Sequence, residues 1–309
     1  MNPPIGLFGA VMGLTGLGLS ARVAATVWPG VFRAPAYFTE LWVALGVIAF
    51  FVLFVLYLIK IFKNTKSVKE EFTNPATIGF CGALPVGMFL VGGGLAPYLP
   101  VVADVIWWGG YALLLGFHVW ALSRWLSGGI ELAQVNAGWL IILVGGIVAP
   151  GPGIALGHAE ASRFIFGVSA VAALPLMALL FYRAVVAAPL PAPLRPSWFI
   201  LLVPPSLIYA NGIALFEGAV FLETLFFAGL ILALALLLAS RNFLTWPFGP
   251  AWWAVTFPLD ALAYAAARYA QDHPEPLWRG VCAATLLVAT FFVALVLWRT
   301  LRSAASRRP

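Results

Sequence analysis

Of the 309 residues, 63% are hydrophobic and only 9% are charged, and the mean hydropathy is +1.00. A soluble domain carries about a quarter of its residues as charges, so this composition excludes a soluble enzyme and leaves an integral membrane protein. The net charge of +6 is read by its position along the chain, and no nucleic-acid partner is inferred from it.

Ten apolar segments follow in chain order: Pro4–Trp28, Leu41–Phe62, Ile78–Leu95, Val101–Leu122, Trp139–Leu156, Phe164–Tyr182, Trp198–Phe216, Gly218–Ala239, Trp252–Ala270 and Trp278–Trp298. Their lengths suit membrane-spanning helices rather than the strands of a barrel. Residues 1–309 therefore read as a single all-α transmembrane domain. The start, M-N-P-P-I-G, has no basic stretch of the kind that opens a cleaved signal peptide, so the first segment is expected to be retained. Spans three and four are joined by A-P-Y-L-P, five and six by G-H-A-E-A-S, and seven and eight meet at Glu217-Gly218. Links this short make antiparallel hairpins. Cys81 and Cys282 lie inside apolar runs, with no disulfide or metal-binding spacing.

The lysines and arginines divide by side. Lys60, Lys63, Lys66, Lys69, Arg124, Arg183, Arg195, Arg241, Arg299, Arg302, Arg307 and Arg308 fall on one side, and Arg22, Arg33, Arg163, Arg268 and Arg279 on the other. Twelve against five predicts both termini in the cytoplasm of a cell (inner, plasma) membrane protein. The loops K-N-T-K-S-V-K-E-E-F and A-A-P-L-P-A-P-L-R-P-S then lie inside.

Proline is unevenly placed. Pro85, Pro150, Pro152, Pro204, Pro205 and Pro258 stand well inside odd-numbered spans, whereas Pro175 alone stands inside an even one. Glycine crowds spans one and three. A proline removes a backbone donor and kinks a helix, and the freed carbonyl needs a partner in protein or a wet cavity. Five helical hairpins are expected, with the broken odd helices in an inner ring around a passage and the smooth even helices facing lipid. The lining would be nearly neutral, offering Thr15, Ser20, Ser206, Tyr209, Asn211 and Thr256. It has no ring of carboxylates that would mark a cation filter, and weak binding suits permeation.

The stretches P-P-I-G-L-F-G-A-V-M-G (Pro3–Gly13), A-L-P-V-G-M (Ala83–Met88) and W-W-A-V-T-F-P-L-D-A (Trp252–Ala261), in that order, resemble the tellurite-resistance/dicarboxylate transporter family, which includes the TehA type and the plant slow anion channels. The resemblance implies a homotrimer with a pore in each subunit. It implies passage of small anions such as halide, nitrate, oxyanions or four-carbon dicarboxylates. The residues show no nucleotide loop, Ser/His/Asp arrangement or metal-binding motif, so no cofactor, metal or enzymatic activity is expected. Its W-W-A-x-T-F-P pattern places a pore-plugging phenylalanine at Phe257. Pro85, Pro150, Pro204, Pro258, Phe8, Gly9, Gly13 and Thr256 are then expected as pore-lining or kink residues.

Asp260 lies three residues after Phe257, on roughly the same helix face. A carboxylate at bilayer depth is costly and a functional candidate. Three readings stay open: a protonated acid, a hydrogen bond to a neighbouring helix, or a proton-coupling group in a malate-like dicarboxylate carrier. His118 and His158 raise a more distant alternative, a membrane redox or biosynthetic enzyme, but they lack paired spacing. Asp104, Glu217 and Glu223 are expected as solvated or capping groups near span ends, with Glu160 and Arg163 as a pair at the outer mouth.

Overall fold

The computed structural model describes residues 3–28 and 36–306; Arg33, Arg307 and Arg308 lie outside the described residues. In chain order the α-helices are α1 (Gly9–Ala24), α2 (Ala36–Lys63), α3 (Thr65–Thr73), α4 (Ala83–Leu95), α5 (Pro100–Leu126), α6 (Trp139–Val144), α7 (Pro150–Ala155), α8 (Ala159–Val186), α9 (Val203–Leu215), α10 (Glu223–Ala239), α11 (Thr256–Asp272) and α12 (Pro276–Ala305). Among the described residues there is no strand. Eight helices among those residues are long and apolar enough to cross a membrane. The segment Trp139–Ala155 is shorter, and α11 carries more polar residues but is buried almost throughout.

Burial sorts the spans into two shells. The windows in Ile5–Ala24, Ile78–Leu95 and Ala192–Leu215 are 72–78% buried, while those in α2, α5, α8, α12 and Val220–Ala239 are only 17–33% buried. The outer helices present a continuous apolar surface, as lipid contact requires.

The inner spans share a construction. Four enter through a 3₁₀ segment and continue as α-helix: Ile5–Phe8 into α1, Ile78–Gly82 into α4, Ala192–Leu202 into α9 and Pro250–Val255 into α11; the fifth span begins as α6 and has its 3₁₀ segment, Gly145–Val148, in the middle, before α7. Pro85, Pro150, Pro204, Pro205 and Pro258 stand within the first three residues of their α-helices. A proline there loses no helical hydrogen bond, because first-turn donors have no intrahelical partner. The expected kink is thus a change of helical type, with proline starting the α-helical half. Pro175 sits inside α8, which remains continuous over 28 residues.

Two expected loops are ordered helices. K-N-T-K-S-V-K-E-E-F forms most of α3, begun by Asn64, whose Oδ1 accepts from the Ser67 amide at 3.2 Å. The helix is anchored through Glu71, which accepts from Lys60 Nζ at 2.7 Å, Tyr57 Oη at 3.0 Å and the Ile5 amide at 3.1 Å. The second loop, rich in proline, leads into the 3₁₀ segment Ala192–Leu202.

Candidate functional site

The inner spans line two cavities that share part of their walls. The first, about 290 Å³, lies among the 3₁₀ segments. Gly9, Met12, Phe80, Ala83, Val86, Val144, Ile200, Val203, Pro204, Trp253 and Pro258 are among its walls. The second, about 210 Å³, lies among the α-helical halves, lined by Gly16, Leu19, Ser20, Arg22, Leu90, Gly93, Pro152, Leu207, Asn211, Ala261 and Tyr264 among others. Among the described residues, only Phe257 and Val148 line both. Neither cavity is lined by a residue of α2, α5, α8, α10 or α12.

The lining runs as helical stripes. On α11 and its lead the stripe is Trp253, Phe257, Ala261 and Tyr264; on α1 it is Gly9, Met12, Gly16, Leu19 and Val23. Steps of three and four keep a stripe on one helix face. Phe257 is 6% exposed and stands between the cavities opposite Val148 on the fifth span. Gly16 seats the ring: a Cβ there would come within 3.0 Å of Phe257 Cδ2 and of Asp260 Oδ2.

The electrostatics of the first cavity, the inner one by the topology expected from sequence, and of the second, the outer one, differ. The inner one is apolar apart from the Thr77 and Glu71 side chains, and Glu71 is neutralised by Lys60. The outer one holds Arg22, paired to Glu40 through Nε–Oε1 at 2.8 Å and Nη2–Oε2 at 2.6 Å. The same guanidinium donates to the Gly94 carbonyl at 3.2 Å and, more weakly, to that of Gly93 at 3.4 Å. Asn211 donates to the Ile147 carbonyl at 2.7 Å and accepts from Tyr264 Oη at 3.3 Å. Ser20 donates to the Asp260 backbone carbonyl at 2.8 Å. The polar wall is therefore largely self-satisfied, and would hold an ion weakly.

Of the expected lining and kink residues, Phe257, Gly9, Pro204 and Pro258 face a cavity. Phe8, Gly13 and Thr256 do not, which corrects the expected lining. Phe8 meets Phe50 and Tyr57 of α2 edge-on, at 6.1 and 6.2 Å. Gly13 admits Thr256 into the α1–α11 contact, and Thr256 Oγ1 donates to the Trp253 carbonyl at 2.8 Å. Pro85 and Pro150 begin α4 and α7 without lining either cavity. Among the expected polar lining, Ser20 and Asn211 face the outer cavity, but Thr15, Ser206 and Tyr209 are buried against neighbouring helices.

Asp260 lines neither cavity. It is fully buried, faces Gly16 of α1, and neither carboxylate oxygen has a hydrogen-bond partner among the described residues. The hydrogen bond considered for it is absent there. Asp104 pairs with His158, which packs against the rings of Trp107 and Trp108, and Glu223 pairs with His273 at 3.2 Å. Arg163 donates to the Leu215 carbonyl, and no Glu160–Arg163 pair forms among the described residues. His118 is buried apart from His158, and no cluster of three metal-ligating side chains exists among the described residues. Sequence reasoning missed Arg22 as a lining group, counting it only among the basic residues of one membrane side. The signal was Glu40 at the start of α2, across one short link.

The voltage-dependent anion channel family model matches residues 2–301. The chain is 26% identical over 308 residues to the S-type anion channel SLAH3 of Arabidopsis thaliana, covering 96% of this chain and 48% of that protein. It is 27% identical over 328 residues to the guard cell S-type anion channel SLAC1 of the same plant, covering 96% of this chain and 57% of that protein. The chain thus spans about half the length of these two relatives. An uncharacterized transporter, MJ0762 of Methanocaldococcus jannaschii, is 24% identical over 246 residues, covering 69% of this chain and 70% of that protein. An all-helical membrane architecture and a family match over nearly the whole sequence agree: the chain belongs to the voltage-dependent anion channel family, whose members are channels and transporters rather than enzymes.

Proposed function

We propose that this chain conducts small anions along the two-cavity path, with the Phe257 ring as its main constriction. The observation that carries this is the meeting of the cavities at Phe257 and Val148 alone. An aromatic ring at such a neck blocks by bulk and by excluding water. It opens by a change of side-chain rotamer, with no backbone rearrangement. Halide, nitrate, small oxyanions and dicarboxylates all suit a passage without uncompensated fixed charge, because an ion held weakly also leaves. The proton-coupled reading receives no support from the position of Asp260 outside both cavities.

The same reading takes a homotrimer with one passage per subunit, in a plasma membrane with both termini cytoplasmic. Anion flux into proteoliposomes tests the constriction. Phe257→Ala should raise chloride or nitrate flux at least about tenfold, the effect of removing some 1.4 kcal/mol of barrier. A mutant that folds and conducts no better than wild type would remove Phe257 from this role. Native mass spectrometry tests the trimer, and a monomeric or dimeric mass in mild detergent would sink it.

A further inference from the structure

A third cavity of about 570 Å³ lies away from the passage. It sits where the end of α8, the 3₁₀ segment Ala192–Leu202 and the link following α10 come together. Arg183, Arg195, Trp198, Ser240, Asn242 and Thr245 contribute to its walls, and no carboxylate does.

Arg183 is the unusual member. It lies in the last turn of α8, 2% exposed, with its guanidinium 5.7 Å from the centroid of the Trp198 ring. Its Nε is enclosed without an acceptor, and no side-chain hydrogen bond or ion pair joins it to another described residue. Arg195 is exposed and uses only its Nε, which donates to the Leu190 carbonyl at 3.3 Å. A buried guanidinium without counter-charge is unfavourable unless something supplies one. Its planar fork matches the oxygens of a phosphate. Basic pockets between membrane helices, at the face carrying the lysine and arginine excess, suit anionic headgroups. Ser240, Asn242 and Thr245 add polar groups around the same space.

We propose that this cavity binds a phosphate group, either the headgroup of an anionic phospholipid or free phosphate, with Arg183 as its main partner and Arg195 as the second. The site is independent of the conduction reading. The test is native mass spectrometry of the full chain from micelles doped with phosphatidylglycerol or phosphatidylcholine, beside thermal unfolding in millimolar inorganic phosphate. Retention of phosphatidylglycerol above phosphatidylcholine supports the site with lipid as its source. Stabilisation by inorganic phosphate without that preference supports it with free phosphate as the source. Either effect should weaken about fivefold in Arg195→Gln and more in Arg183→Gln. The exposed Arg195 keeps the test readable if Arg183→Gln does not fold. The proposal fails if wild type shows neither effect, or if the effects survive unchanged in Arg195→Gln and in whatever Arg183→Gln protein folds.

Discussion

The two cavities on either side of Phe257 are of similar size and drawn from the same five spans, yet they are built differently. The inner one is walled by 3₁₀ segments and proline-led helix starts, with almost no polar side chain. The outer one is walled by α-helical turns that bring in Ser20, Asn211, Tyr264 and Arg22. An anion on the proposed path would meet a guanidinium and amide dipoles in the second cavity and carbon in the first. The step between these environments falls at the one ring they share. On the proposed path, size exclusion and loss of polar contact would therefore act at the same place.

The sharpest way to break this comparison is Phe257→Ala, which should merge the cavities and give the largest gain in flux. Arg22→Gln comes next. It removes the charged group of the outer cavity, and flux should fall about three- to fivefold, the order of 1 kcal/mol for a mostly buried, paired charge. Flux in wild type, unlike the variant, should also depend on ionic strength. Equal flux in both proteins would mean that Glu40 cancels Arg22 completely. Gly16→Ala is a smaller test. Its Cβ would press on Phe257 Cδ2 and Asp260 Oδ2, both at 3.0 Å. Displacement of the ring by a few tenths of an ångström should alter flux by about two- to threefold, or 0.4–0.7 kcal/mol. The smallest effect is expected for Asp260→Asn. An isosteric change outside both cavities should leave flux, and its response to an imposed pH gradient, within about twofold of wild type. Loss of a wild-type pH-gradient dependence in this variant would instead revive proton coupling.

The division into inner and outer helices was legible because proline and glycine are costly in a lipid-facing helix and useful where a helix starts against protein. Which residues of an inner helix face the passage was less legible. A 3₁₀ turn advances about 120° per residue against about 100° in an α-helix, so the junction resets the phase of each stripe. Phe8, just before such a junction, consequently turns to α2, while Gly9 after it faces the cavity. Asp260 illustrates the same limit. Three residues from Phe257 reads as one face, yet the stripe steps from Phe257 to Ala261 and leaves Asp260 beside Gly16. Arg22 was hidden for another reason: charge counting records the side of a residue and says nothing about its partner.

The absence of any outer-helix residue from either cavity wall separates two tasks within one polypeptide. Side chains such as Ile48, Val171 and Leu234, 60–70% exposed on the outer helices, are free to drift with bilayer thickness without touching the proposed ion path. One could resurface the periphery for a different host membrane or assembly while keeping the central plumbing intact.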